Sequence, residues 1–473
     1  MTDRLKNYTF YLMCGTVLLT GFLLRLKMLI DNPSFWMDES ALGYNVLVLT
    51  FKDFFGALNL QQIAPPFFLV ISKTIINLLG AGDFNLRIFP TIVGNISMLI
   101  FLLVLNKTFK NKLTIALGLI LFCLNPQMLR YTVEFKPYIL EVCSTCIILY
   151  IFMGLDLNKS YKKLFLAGCG LAIMPWFAFI SIITLFYAYI LNFSKTNLKK
   201  WLCFTAPFAV SGSFFVFYYV KIRSFYSEFM TDFWYVGFLN AENFVTEFSK
   251  ATIFIFGTKL ILIPIILVIG GIIFCIKGKN NLFVTKFFTI TFLTVTLMSF
   301  LKMYPFYERF LIFLFPAALL LILIVFDNLF NSKKYYKYIV AVLLSVIMIL
   351  PQAVFANQVI TNHYLKNSCA KWFMEYMVQN KKDSDIIIVD NLSINDFLYY
   401  LQYYKINNPI IFPYEHKNNR IMYSSKPIKL TKEYKNYWFF SSYTKVNSEK
   451  LNYTYRKICS CNDGEILFVK GLK

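Results

Sequence analysis

The sequence predicts a polytopic α-helical membrane protein of about eleven spans, with a small α/β domain at its C-terminal end. Three observations carry that expectation. Of the 473 residues, 58% are hydrophobic, 19% aromatic and only 15% charged, and the mean hydropathy is +0.58. A soluble domain of this length does not bury so much apolar surface. The apolar residues fall in runs long enough to cross a bilayer. From about residue 357 the composition changes, and short β-rich runs alternate with segments of helical spacing.

The net charge of +22 raises the question of nucleic acid. The Lys and Arg residues stand in short clusters between apolar runs, the pattern of membrane-flanking anchors and cytoplasmic loops, so no nucleic-acid partner is expected. Among the ten cysteines, Cys14, Cys123, Cys143, Cys146, Cys169, Cys203 and Cys275 lie in apolar runs and read as small core residues. Cys369, Cys459 and Cys461 lie in the polar tail. With only two His in the chain, no zinc site is expected.

Taken in order, the first span covers residues 8–30. Arg4 and Lys6 precede it, which places the N-terminus in the cytoplasm, and it reads as an anchor because it lacks a small-residue cleavage site. Residues 31–86 are then external. Within them, APPFFLVISKTIINLLG (64–80) opens with two prolines and carries Lys73. It reads as a helix lying in the outer interface, because the following span, 88–106, ends at the basic NKTFKNK and the alternation of sides works only if 64–80 does not cross. Spans follow at 113–129 and 138–155. The run 164–191 reads as two short spans bent at Pro175, and the next span covers 202–220. Residues 221–257, with Trp234, are external. Spans at 258–276, 282–301, 306–326 and 338–356 complete the set. Residues 1–356 therefore form a membrane domain, and 357–473 an extracytoplasmic α/β domain. In the latter DIIIVD (385–390), PIIFP, YWFFSS and EILFVK read as strands, and CAKWFMEYMVQN and NDFLYYLQYY as helices.

The residues that could carry chemistry collect near one face. Asp38 and Glu39 stand in PSFWMDESALGY, just beyond the first span. As plain structure they are an acidic start to the following helix, favoured by its dipole; as function they offer a general base at the membrane surface. Arg25, Arg87, Lys136 and Arg309 lie near the outer ends of spans, where the positive-inside pattern leaves few cations. Each could snorkel to headgroups, or the set could hold a lipid phosphate. Glu134 and Tyr138 flank Lys136; Glu134 could pair with Lys136 or Arg87, or meet a substrate hydroxyl.

In order, Arg25, W-x-D-E at Trp36, Asp38 and Glu39, APPFFLVISK, DFNLRIFPTIVG, YTVEFKPYILE and YERFLIFLFPAA resemble the motifs of the GT-C superfamily of polyprenyl-phosphate-sugar-dependent glycosyltransferases, and among them the bacterial relatives of protein O-mannosyltransferases and lipid A aminoarabinose transferases. The matched motifs cover residues 20–141 and 300–318. The resemblance implies that Asp38 is the catalytic base and that Glu39 supports it. It also implies that Arg87 is the Arg of an L-R-x-x-P type motif, that Arg309 contacts the lipid phosphate, and that Glu134, Lys136 and Tyr138 stand where relatives carry E-x-R-x-Y. Two departures stand out. Lys136 replaces the usual Arg, losing bidentate phosphate geometry, and Ala64 stands where many relatives have His.

The function so implied is an inverting transfer of a sugar from a polyprenyl phosphate, such as undecaprenyl phosphate, to a hydroxyl-bearing glycan, lipid or protein at the outer face of the plasma membrane. No metal or other cofactor is assigned. Two other functions share these features: a flippase or transporter of lipid-linked sugars, and a ligase or polymerase that moves a whole oligosaccharide.

Overall fold

A computed structural model of the chain describes residues 3–225, 237–279, 281–363, 368–382, 385–389, 393–405, 410–412, 414–417, 420–423, 436–442, 455–460 and 465–470. The residues group into two compact units. One comprises Met1–Ile30, Ala64–Leu69 and Arg87–Asn362; the other comprises Asp31–Ile63, Val70–Leu86 and His363–Lys473. Residues 31–63 and 70–86 thus group with the C-terminal residues, and not with the helices that flank them in sequence.

The first unit is helical. Its elements are α1 (Asp3–Asp31), most of α4 (Asp83–Thr108), α5 (Lys112–Cys123), α6 (Pro126–Val133), α7 (Tyr138–Phe152), α8 (Tyr161–Ala172), α9 (Ser181–Leu191), α10 (Leu198–Phe225), α11 (Phe244–Phe256), α12 (Leu262–Gly278), α13 (Leu282–Phe300), a 3₁₀ segment (Glu308–Leu314) continuing into α14 (Phe315–Phe330), and α15 (Tyr335–Ile360). Each apolar run expected to span is helical. Among the described residues, six helices are long and apolar enough to cross a bilayer: α1, α4, α10, α13, α14 with its 3₁₀ lead-in, and α15. The bent pair α5–α6 would make a seventh, and α7, α9 and α12 are shorter apolar helices. The α14 segment is central, with 89% of its most apolar stretch buried, whereas α15 has 17% and is peripheral.

The breaks follow from the residues at them. The span expected at 113–129 is two helices bent by 47°. Pro126 supplies no N–H and disfavours helical backbone at Asn125. Asn125 then caps the second helix, its side chain accepting from the amides of Gln127 and Met128 at 2.9 and 3.2 Å. The run 164–191 is likewise divided, α8 and α9 being separated by a 3₁₀ turn, Met174–Trp176, that holds Pro175. The stretch 221–257, read from sequence as a loop, holds the end of α10 and all of α11. Its aromatics recur at the helical i, i+4 spacing of Phe244 and Phe248, whose rings stack at 6.0 Å. Trp234 lies outside the described residues.

Among the described residues, the second unit joins α2 (Met37–Val48), part of α3 (Pro66–Leu79), α16 (Ala370–Asn380), α17 (Ile394–Tyr403) and seven strands. Strands β1 (Ile386–Val389), β2 (Ile410–Phe412), β5 (Asn436–Ser441), β6 (Tyr455–Ser460) and β7 (Glu465–Lys470) form one sheet in the order β2-β1-β5-β7-β6. Strand β1 is parallel to β2 and β5, while β7 is antiparallel to β5 and β6. Strands β3 (Tyr414–Lys417) and β4 (Arg420–Tyr423) form a separate antiparallel pair. Phe440 on β5 meets Phe373 of α16 and Phe397 of α17 at 6.1 and 5.4 Å between ring centres, so both helices share a core with the sheet. The α/β alternation expected of this region is present. Strands β3, β4 and β6 are not among the strands expected from the sequence.

Helix packing in the first unit depends on small residues, which let apolar helices approach without any hydrophobic drive between them. At Gly271 on α12 an added Cβ would lie 2.1 Å from the carbonyl oxygen of Leu321 on α14, whereas at Gly15 on α1 it would meet nothing within 4 Å. Gly271→Val is therefore expected to destabilise the protein by roughly 1–3 kcal/mol, as overpacking does. Gly15→Val should leave thermal unfolding in lipid nanodiscs nearly unchanged.

Candidate active site

The acid pair stands in the second unit, at the head of α2. The helix starts at Met37, so Asp38 and Glu39 occupy its first turn, where the helix dipole favours negative charge. Glu39 is buried at 2% exposure, and Asp38 is half-buried. The partly open acid is the one that a substrate could reach, and the buried one is its neighbour.

Helix α2 is held at both ends. Lys73 of α3 donates to the carbonyls of Val46 and Leu47 at 2.8 and 3.0 Å, a cation on the orphan carbonyls of the helix C-terminus. Asn45 donates to Asn59 O at 3.0 Å and accepts from Asn59 N at 2.6 Å, tying down the loop that follows. At the N-terminal end, the amide of Phe35 donates to the hydroxyl of Tyr400 at 2.9 Å. Tyr400 in turn donates to Asp83 Oδ2 at 2.8 Å, and Tyr399 donates to Asp83 Oδ1 at 2.9 Å. Burial, with the Asp83 carboxylate beside it, pushes the Tyr400 phenol well above its ordinary value, so it remains a donor.

The other six residues stand in the first unit. Arg25 on α1 is fully buried. Its Nη1 donates to Gly21 O at 3.0 Å and to Cys123 O at 2.9 Å, and its Nε donates to Thr132 Oγ1 at 3.2 Å. It therefore ties α1 to both sides of the α5–α6 break. Cys123 is the last residue of α5, and the break leaves its carbonyl without an intrahelical partner. Thr132 also joins α4, because its carbonyl accepts from Thr91 at 3.2 Å, and the same Thr91 hydroxyl donates to the carbonyl of Arg87 at 2.8 Å. Arg87 itself is buried.

Two residues beyond Thr132 begins the turn Glu134–Tyr138. The Lys136 amide donates to Glu134 O at 2.7 Å, and Phe135 stacks on Phe68 at 5.2 Å, so the turn is tight and anchored. Glu134, Lys136 and Tyr138 are all buried. Glu134 accepts from Arg130 Nε at 3.0 Å, a partner one helical turn earlier. Arg309 lies in the 3₁₀ segment at the head of α14, its guanidinium 5.4 Å from the ring centre of Phe310 and 6.0 Å from that of Tyr307, which suits a cation. Phe310 lies 5.9 Å from Tyr138, so Arg309 and the Glu134–Tyr138 turn meet at a shared ring. Among the described residues, no group of three or more His, Cys, Asp or Glu could hold a metal ion.

No protein-family model matches the chain, and no curated protein matches it. Solved structures do. The chain is similar to ArnT from Cupriavidus metallidurans in the apo state, with a TM-score of 0.61 at 9% identity, covering 98% of each chain. The same ArnT bound to undecaprenyl phosphate gives a TM-score of 0.51 at 8% identity, covering 97% of each. The oligosaccharyltransferase of Archaeoglobus fulgidus gives 0.50 at 12% identity, over 84% of this chain and 62% of that one. The chain has the GT-C fold. It is a polytopic α-helical membrane protein with an α/β C-terminal region, as the sequence leads one to expect.

Some partners of the site residues were missed by sequence reasoning. Arg130 was findable, since it stands four residues before Glu134 in a helix. Asp83, Tyr399 and Tyr400 carried no local signal, being 316 and 317 residues apart. Arg25→Met keeps the bulk but removes the donors to Cys123 and Thr132. Each orphaned buried acceptor costs about 1–3 kcal/mol, so thermal unfolding should shift down clearly even without any substrate present.

Proposed function

We propose that the protein is an inverting glycosyltransferase that moves a sugar from a polyprenyl phosphate to a hydroxyl-bearing acceptor at the outer face of the membrane. One observation carries the reading: in a chain with the GT-C fold, a partly open Asp38 beside a buried Glu39 heads α2. The ArnT structure bound to undecaprenyl phosphate supports a lipid-phosphate donor. Cys369 is disulfide-bonded, which supports an oxidising compartment for the C-terminal region.

In this reading Asp38 takes the proton of the acceptor hydroxyl as its oxygen bonds to the anomeric carbon. The bond from that carbon to the phosphate oxygen breaks, and the electron pair leaves with the phosphate. Arg309, Arg87 and Lys136 offset the charge that builds on it. A phosphate so compensated leaves without a protonating acid, which explains one acid pair plus cations in place of the two separated carboxylates of a glycosidase. Glu39 supports Asp38, and Glu134 and Tyr138 shape the Lys136 turn. Arg25 serves these groups through the scaffold, since its Nε and Nη1 already bond Thr132, Gly21 and Cys123.

The test is transfer by purified protein in lipid, offered radiolabelled undecaprenyl-phosphate hexoses and pentoses with membrane extract as acceptor. Asp38→Asn should lower the rate roughly 10²–10⁴-fold, the usual weight of a general base, with an unchanged melting temperature. Arg309→Ala should reduce turnover while retaining the fold. Wild-type rates in Asp38→Asn would remove the base assignment. Movement of labelled lipid between leaflets with no transfer would make the protein a transporter.

A further inference from the structure

We propose that Tyr399 and Tyr400 of α17, through Asp83, are positioning residues that set the geometry of the acid-bearing helix α2. The proposal rests on the reading of Asp38 as the base. Two consecutive residues hold the helix on either side of its acid pair. On the near side, Tyr400 receives the amide of Phe35 at 2.9 Å, three residues before Asp38. On the far side, the Tyr399 ring lies against Gly43, where an added Cβ would stand 2.8 Å from it; Gly43 is one turn beyond Glu39. The same ring packs on Phe35 at 5.0 Å between centres. The first contact fixes where the chain enters the helix, and the second fixes the rotation of the helix about its axis.

Both phenols then converge on one carboxylate. Tyr399 donates to Asp83 Oδ1 at 2.9 Å and Tyr400 to Oδ2 at 2.8 Å, and Lys371 Nζ stands 3.8 Å from Oδ2. Asp83 is 2% exposed, and both tyrosines are fully buried. Packing alone would be served by phenylalanine. Burying a carboxylate is a poor route to stability, because its desolvation offsets most of what the partners return. What such a cluster supplies is direction: two donors on the two oxygens of a planar group allow one orientation of each ring, and linked hydrogen bonds reinforce one another. The amide of Phe35, Tyr400 and Asp83 form such a chain, which ends at the entry to α2.

The experiment uses the full chain in nanodiscs, comparing Tyr400→Phe and Tyr399→Phe with the unsubstituted protein. Each variant keeps its ring and loses only a hydroxyl. Hydrogen exchange is followed in peptides covering 33–48 and, as reference, 370–403. Transfer from radiolabelled undecaprenyl-phosphate hexoses supplies kcat and KM. In Tyr400→Phe, exchange across 33–43 should accelerate roughly tenfold, the weight of one bond in a charged network. Exchange across 370–403 and the melting temperature should stay close to normal, and kcat should fall several-fold at constant donor KM. Unchanged exchange at 33–43 would overturn the proposal. So would acceleration spread equally over both peptides, which marks a general structural role, or faster exchange with kcat unaltered. Failure of the function itself reads out separately: it would show as no transfer from any hexose by the unsubstituted protein, or as full transfer by Asp38→Asn.

Discussion

The membrane unit depends on one buried guanidinium. The helix α5–α6 has to break, because Asn125-Pro126 cannot continue it, and a break inside an apolar environment exposes carbonyls that lipid cannot satisfy. Arg25 answers that need from a neighbouring helix. It bonds Cys123 on one side of the break and Thr132 on the other, and Thr132 is shared with α4. Four helices, α1, α4, α5 and α6, are thereby fixed to one another within a few ångströms. The turn carrying Glu134, Lys136 and Tyr138 follows two residues later. Its geometry is inherited from the break, so the polar residues at the head of α7 owe their position to a residue on α1.

In the second unit the equivalent role falls to a carboxylate. Asp83 gathers Tyr399, Tyr400 and Lys371, and the acid-bearing helix is set by what those groups touch. Arg25 and Asp83 share a logic. Each is an ionisable group far from solvent, and each is more readily understood as fixing direction than as adding stability. Each also stands close in sequence to residues that the chemistry is proposed to use, Asp83 four residues before Arg87 and Arg25 thirteen before Asp38.

Much of this was legible in the sequence, for physical reasons. Apolar runs of bilayer length can hardly be anything but helices, so every expected span is helical, and the change of composition near residue 357 marks the α/β region because strands and helices there need different spacing. Prolines were equally readable: Pro126 and Pro175 sit at breaks, and Pro66 opens α3. The partition of the chain was less so. Residues 31–63 read as a loop of the membrane domain, yet they group with residues beyond 363, because the contacts that bind them are long-range and leave no periodicity. The acids and cations were found by their presence near span ends. The groups that orient them, Thr132, Asp83, Tyr399 and Tyr400, were invisible for the same reason. Short strands such as β3 and β4, without clean alternation, also escaped.

The bond between Phe35 and Tyr400 joins residues 365 positions apart, and that distance orders events during synthesis. A chain is made from its N-terminus, and segments completed early must wait for late partners. The α2 helix emerges after the first span, but the aromatic pair that frames it is translated only after every span has been made. Until then its head lacks the tether to Tyr400. A ribosome that stalls among the late helices would therefore release a chain carrying the acid pair without its settled frame. The newly inserted chain acquires the fixed geometry of its acidic helix only once Tyr400 has been made.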